Sequence, residues 1–354
     1  MTPSANNFTL LRLLAAWLVL FSHSYHLSGQ GAREPLMQLT DGRMTLGTVA
    51  VGVFFTISGY LITGSAYARP ELRSFLMARV RRIFTALMLV VLLTALVLGP
   101  LVTTLAPADY YRDGETWSYI ARNITMWRLQ YVLPGVFTAN PHATAVNGAL
   151  WTLPIEFSLY LAVGGSVWGL RRTVRQANVA LPLCALAAAC VLCWWKVLEG
   201  NVSGTLLLAP YFLLGAGYRL LRRRLPMRGT IAALLLAGWG ASVLVPGPLL
   251  YVQGCVAISY ATLWLGRHPA WVLPFNLEKI GDLSYGIYLF AFPVQQTVLM
   301  YGWAKTPAGV CLLASAIVLP LAWCCWHAVE RHFVVMRTAA TPLTDADASL
   351  RVRP

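Results

Sequence analysis

The chain has 354 residues, 58% of them hydrophobic and 11% charged, with a formal net charge of +14 and a mean hydropathy of +0.62. Soluble domains carry about 25% charged residues, so this chain lacks the polar side chains to cover a water-exposed surface of normal size. That excludes an ordinary soluble enzyme and points to a polytopic membrane protein.

A run of about 20 apolar residues crosses a bilayer. Such runs lie near 8–27, 46–66, 83–101, 148–170, 178–198, 204–221, 229–245, 248–265, 280–302 and 308–329. They predict an all-α fold of ten transmembrane helices forming one domain over 1–333, with a short cytoplasmic tail at 334–354. The first run has no small-residue cleavage site and is followed by more spans, so it reads as a retained helix, not a signal peptide. The stretch 117–137 is less apolar. It reads as part of a long loop with a surface helix, or as an interfacial or re-entrant segment.

Lysine and arginine set the orientation. With the N-terminus in the cytoplasm, nineteen of the 27 fall on inward loops and the tail, and seven on outward loops. Both termini are therefore expected in the cytoplasm. The net charge is mostly this asymmetry and gives no support to a nucleic-acid binder, whose cations cluster on a folded surface beside readout residues. The seven cysteines lie in or beside apolar runs and read as small fillers. Cys190-x-x-Cys193 has metal-like spacing without a second ligand pair, so no metal is expected.

Ionisable groups inside spans are costly and tend to face the bundle interior. The candidates are Arg12, His23, His26, Glu156, Asp282 and His327. Arg12 and His23 are eleven residues apart, close to three turns at about 3.6 residues per turn. They share one helix face about 16 Å apart, with Ala16 and Val19 between them. A cation at the inner end and an imidazole at the outer end can line a path across the membrane. Histidine is the usual general base near neutral pH, and arginine suits phosphate or a thioester carbonyl. The plainer reading is that Arg12 snorkels to the headgroups and His23 caps a packed helix end.

Further along, Arg73, Arg79, Arg81 and Arg82 follow a Gly- and Ser-rich span. They serve either as positive-inside anchors or as a site for an anionic nucleotide. Glu156, about eight residues into the span 148–170 and just after Pro154, needs a partner and is expected to orient a histidine or pair with an arginine. Asp282 is favoured as a helix cap. His142, His268 and His327 have no evident partner. The outer loop 102–147 holds Tyr110, Tyr111, Trp117, Tyr119, Trp127 and Tyr131, which suit either sugar stacking or a membrane-interface belt.

Four stretches in order resemble the signatures of acyltransferase family 3, which includes polysaccharide O-acetyltransferases. They are Arg12 and His23 in an Arg-x10-His pattern; FFTISGYLIT (54–63), followed by Arg79 and Arg82 in Arg-x-x-Arg; LWTLPIEFSLYL (150–161), with Glu156; and LSYGIYLFAFPVQQ (283–296). The resemblance implies transfer of an acyl group, usually acetyl, from cytoplasmic acetyl-CoA to a hydroxyl of an extracytoplasmic glycan, within a bacterial inner membrane. It implies His23 as base or acyl relay and Arg12 as its electrostatic partner. Arg79, Arg82 and Arg73 would lie at the CoA end, with Glu156 in support. Two departures stand out. RRIFTAL lacks the proline that often follows RRI, and Ala291-Phe292 occupy a position that is often histidine. No C-terminal esterase-like domain is expected. The competing function is a multi-pass transporter of a lipid-linked sugar or acyl donor, against which stands the lack of similarity between the two halves.

Overall fold

The structure is a computed structural model and describes residues 7–69, 71–143, 145–173, 180–198, 203–222, 224–268 and 280–334. Among these residues the regular elements are helical, and extended backbone pairs only in an isolated bridge between Thr103 and Val136. The molecule is an all-α polytopic membrane protein. Its main helices are α1 (Phe8–Leu27), α2 (Leu46–Ala68), α3 (Leu72–Leu92), α4 (Gly114–Thr125), α5 (Thr152–Thr173), α6 (Ala180–Leu198), α7 (Gly204–Leu221), α8 (Gly229–Ala241), α9 (Leu249–Arg267), α10 (Ser284–Met300) and α11 (Pro307–Cys325).

Seven helical stretches are long and apolar enough to cross a bilayer: α1, α2, α3 with its continuation to Val102, the α5 region, α7, α9, and α11 with its continuation to Phe333. The remaining three expected runs also hold helices. α6 is described from Ala180 onward, while α8 and α10 have 13 and 17 residues. The expected tail lies outside the described residues except for Val334. The amphipathic helix α4 occupies the less apolar stretch, as a surface helix should.

α1 packs against α2, α10 and α11, and α2 packs along α7. The α2–α7 contact depends on Gly59 and Gly215. A Cβ at Gly59 would run into the Phe212 carbonyl, and one at Gly215 into the Thr56 carbonyl. Small residues let two backbones approach in this way where no hydrophobic force drives helices together.

Prolines within helices free carbonyls that loop side chains then occupy. α3 continues through a π turn, Leu93–Leu98, in which the Gly99 amide reaches back to Thr94. Pro100 has no N–H to offer Leu96. The carbonyls of Ala95 and Leu96 instead accept from the hydroxyls of Tyr110 (2.7 Å) and Tyr111 (2.8 Å). Burial pushes the Tyr110 phenol up to about 12, so it remains a donor at neutral pH. In α10 the N–H missing at Pro293 leaves the Leu289 carbonyl open, and the Asn147 amide donates to it at 2.9 Å. The loop between α3 and α5 is moored to the bundle at both of these points.

Candidate active site

At one end of α1, Arg12 donates through Nη1 to Asp282 Oδ2 at 2.6 Å, and Arg82 donates through Nη2 to the same oxygen at 2.6 Å. Arg82 Nη1 also lies 3.4 Å from Glu330 Oε2, and its guanidinium sits 5.4 Å from the centre of the Tyr285 ring. Gly281, at φ +99°, makes the turn that delivers Asp282. Asp282 accepts a further bond from Ser284 Oγ at 2.6 Å. Asp282 also accepts from the amide of Ser284, the first residue of α10, so the role expected of it at the helix start is joined by the two guanidiniums. Two partly buried guanidiniums offer the carboxylate stronger, charge-assisted bonds than a helix end does.

A small cavity opens from this cluster. Arg12 and Arg82 stand at one side, Ser58, Glu156 and Tyr160 form a polar wall, and Phe54, Phe55 and Tyr288 form an aromatic one. Glu156 Oε1 accepts from Ser58 Oγ at 2.7 Å and from the Tyr160 hydroxyl. The partner expected of Glu156 was a histidine or an arginine; the bonds it makes are to these two hydroxyls. Arg79 lies beside this wall, electrostatically coupled to Tyr160 and Glu156. Its buried Nε has no hydrogen-bond partner among the described residues. Arg73 is exposed in the first turn of α3. Of the three arginines expected at the donor end, only Arg82 lines the cavity.

His23 stands at the other end of α1 and does not line the cavity. Its ring meets Phe292 edge-on at 5.3 Å. Phe292 lies one turn of α10, about 5.4 Å, beyond Tyr288, so an aromatic layer separates the imidazole from the cavity. Ala16 and Val19, the residues between Arg12 and His23 on the shared face, are buried. The His23 Nδ1 is buried without a hydrogen-bond partner among the described residues.

Both sequence neighbours of His23 are held. Ser22 Oγ donates to Glu34 Oε1 at 3.2 Å, and Glu34 also accepts from the amides of Met37 (2.8 Å) and Leu46 (2.6 Å). Ser24 Oγ accepts from Gln295 Nε2 at 2.7 Å, and the same nitrogen donates to the Leu20 carbonyl at 2.7 Å. Glu34 and Gln295 had no role in the sequence reading. For Glu34 the available signal was a carboxylate followed by proline at a helix start. Gln295 lies within a recognised stretch but carried no chemistry of its own. His142 reads as solitary in sequence, yet its ring lies 4.6 Å from that of His26 and 6.4 Å from Phe292.

The profile of an acyltransferase domain matches residues 6–328. The chain belongs to acyltransferase family 3. It is similar to an O-acetyl transferase of Shigella phage Sf6, at 28% identity over 97% of this chain and 99% of that protein. It is similar to nodulation protein 10 of Rhizobium leguminosarum bv. viciae, at 27% identity over 94% of each. It is also similar to acyltransferase MdmB of Streptomyces mycarofaciens, at 23% over 97% of this chain and 96% of that one. No solved structure matches. Family membership makes the protein a membrane acyltransferase.

Proposed function

We propose that this acyltransferase moves an acetyl group from cytoplasmic acetyl-CoA to a hydroxyl of an extracytoplasmic glycan or cell-surface polysaccharide, in a bacterial inner membrane with both termini inside. The observation that carries the reading is that α1 joins a guanidinium-edged cavity at one end to a partly buried imidazole at the other. Arginine at the inner end suits the anionic donor, and the named O-acetyl transferase relative supports acetyl.

In this reading the pantetheine arm of the donor enters past Arg82 and Arg79. Ser58, Glu156 and Tyr160 hold its amides along the polar wall, and Arg12 faces the thioester. The thioester reaches His23 past the aromatic layer of Phe292 and Tyr288. By the direct route, His23 takes the proton of the acceptor hydroxyl as the new C–O bond forms. The C–S bond breaks, and the proton passes to the departing thiolate, so the products are the ester and free CoA thiol. By the relay route, a His23 ring nitrogen attacks the thioester, the C–S bond breaks and CoA leaves as the thiol with the proton of the imidazole; the acceptor hydroxyl then attacks the acetyl-imidazole, the C–N bond breaks and the hydroxyl proton returns to the ring. An acetyl-histidine trapped in a single turnover without acceptor selects the relay.

The test is mass spectrometry of the surface glycans of the producing strain, of a deletion strain, and of that deletion complemented with the gene. The expected result is the mass increment of one acetyl group, lost on deletion and restored on complementation. Unchanged glycans in all three strains overturn the reading.

A further inference from the structure

Gln295 of α10 is fully buried, and its carboxamide is oriented by what it meets on α1. Nε2 donates to the Leu20 carbonyl at 2.7 Å and to Ser24 Oγ at 2.7 Å. The Leu20 carbonyl can only accept, and the Ser24 hydroxyl gives its own proton to that same carbonyl at 2.9 Å. Both groups therefore require an N–H from Gln295, and the amide cannot be turned over. That fixes Oε1 as an acceptor on the other side of the amide. It is buried and has no hydrogen-bond partner among the described residues.

The two α1 contacts bracket His23. Leu20 and Ser24 are one turn apart, and His23 lies in that turn. On α10, Phe292 meets the His23 ring edge-on at 5.3 Å. Phe292 comes three residues before Gln295, so the two are neighbours on one helix face. His23 thus stands against the same strip of α10 as the orphaned oxygen. Its Nδ1 is also buried without a hydrogen-bond partner among the described residues. Buried polar atoms of native proteins are paired in the great majority of cases. The two left over here are complementary, because Oε1 can only accept and Nδ1 of a neutral imidazole can carry the proton.

We propose that Gln295 is the positioning residue of His23: its Oε1 takes the Nδ1–H, holds the imidazole in that tautomer and leaves the lone pair on Nε2 for the substrate. This rests on the reading of His23 as the reacting imidazole. Which ring nitrogen carries the proton is set by the hydrogen bond the other atoms of the ring can make, and both routes of transfer need one lone pair in a known place. A carboxylate or a carboxamide fills this third role in hydrolase triads. A neutral carboxamide does it without placing a second ionisable group inside the membrane. Catalytic hydrogen bonds of this kind are often long before substrate binds and tighten around it, so the tautomer is best read with CoA bound.

The test reads the proton directly. The full-length protein, carrying heavy-nitrogen histidine and reconstituted in lipid bilayers with CoA, is measured by solid-state nitrogen NMR at about pH 8, above the ordinary histidine range. The chain has six histidines, and the spectrum of His23→Ala identifies the His23 signals by their loss. The expected result is Nδ1–H in wild type and loss of that fixed tautomer in Gln295→Leu. Initial rates with radiolabelled acetyl-CoA and ester-stripped surface polysaccharide should show kcat lowered about tenfold in Gln295→Leu, the rate equivalent of one hydrogen bond, with both KM values as in wild type. A residue that only ties α10 to α1 would lower the melting temperature and leave the tautomer alone. Nε2–H in wild type, or the same tautomer in wild type and Gln295→Leu, overturns the assignment, and the wild-type spectrum decides even where the variant misfolds. Failure of wild type to label the polysaccharide counts against the glycan reading instead and leaves the tautomer result standing.

Discussion

The two ends of α1 each hold an ionisable side chain in apolar surroundings, and the fold treats them in opposite ways. Around Arg12 the charges are matched: two guanidiniums meet two carboxylates, Asp282 and Glu330, from segments far apart in sequence. Around His23 the polar atoms are left short, with Nδ1 and the neighbouring Gln295 Oε1 buried and unsatisfied among the described residues. A matched cluster is already complete and ties helices together. An unmatched one keeps polar atoms open to a further partner. The contrast is between charges that satisfy one another and polar atoms that do not.

Breaking the unmatched end should affect chemistry far more than stability. His23→Ala should lower acetyl transfer by about 10² to 10⁴, the usual worth of a positioned general base, with unchanged protein levels in the membrane. Glycan acetyl content per unit of protein measures this, and wild-type activity in the variant would remove His23 from the mechanism.

Breaking the matched end should cost stability as well as turnover, because Asp282 holds both Arg12 and Arg82. Asp282→Asn leaves two guanidiniums without their shared carboxylate. It should destabilise the purified protein by about 3 kcal/mol, at the lower end for a broken buried pair because these groups are partly exposed. Thermal unfolding in detergent reads this directly, and an unshifted transition would mean that the cluster does not hold α1 to α10.

Glu156 lies between these extremes and sharpens the contrast. Glu156→Gln keeps the shape of the polar wall and removes its charge. About a tenfold rise in the KM for acetyl-CoA is expected, the worth of one hydrogen bond to a charged group, with little change in melting. An effect confined to the acceptor KM would move Glu156 out of the donor site. The smallest effect is expected at Asn147→Leu, which removes the bond to the Leu289 carbonyl and should cost about 1 kcal/mol, measured by the same unfolding experiment.

Much of this contrast was legible in the sequence. Runs of about 20 apolar residues are a strong signal because the bilayer leaves few alternatives, and a charge within such a run draws attention on cost alone. Arg12, His23 and Glu156 were found that way. Their partners were not. Asp282 meets Arg12 across 270 positions of chain, and a carboxylate just before a helix suggests a cap without revealing the guanidiniums it also meets. His142 looked solitary because the bonds that place its loop come from Gln296, which is 154 residues away. Glutamines inside a span raise no alarm, since they carry no charge. Sequence periodicity shows which face of a helix a side chain occupies, but not what a loop lowers onto that face.

The proline in α10 has an implication for anyone seeking a sturdier version of this enzyme. Pro293→Ala would look attractive, since it lets the helix close its own hydrogen bond to Leu289. The carbonyl has two lone pairs, so the new bond would crowd the one from Asn147 without replacing it, and Asn147 ends the loop that carries His142. The straightened helix would be the firmer one, and the loop would be moored by a shared, weaker bond. Stiffness gained in the helix is drawn from the loop.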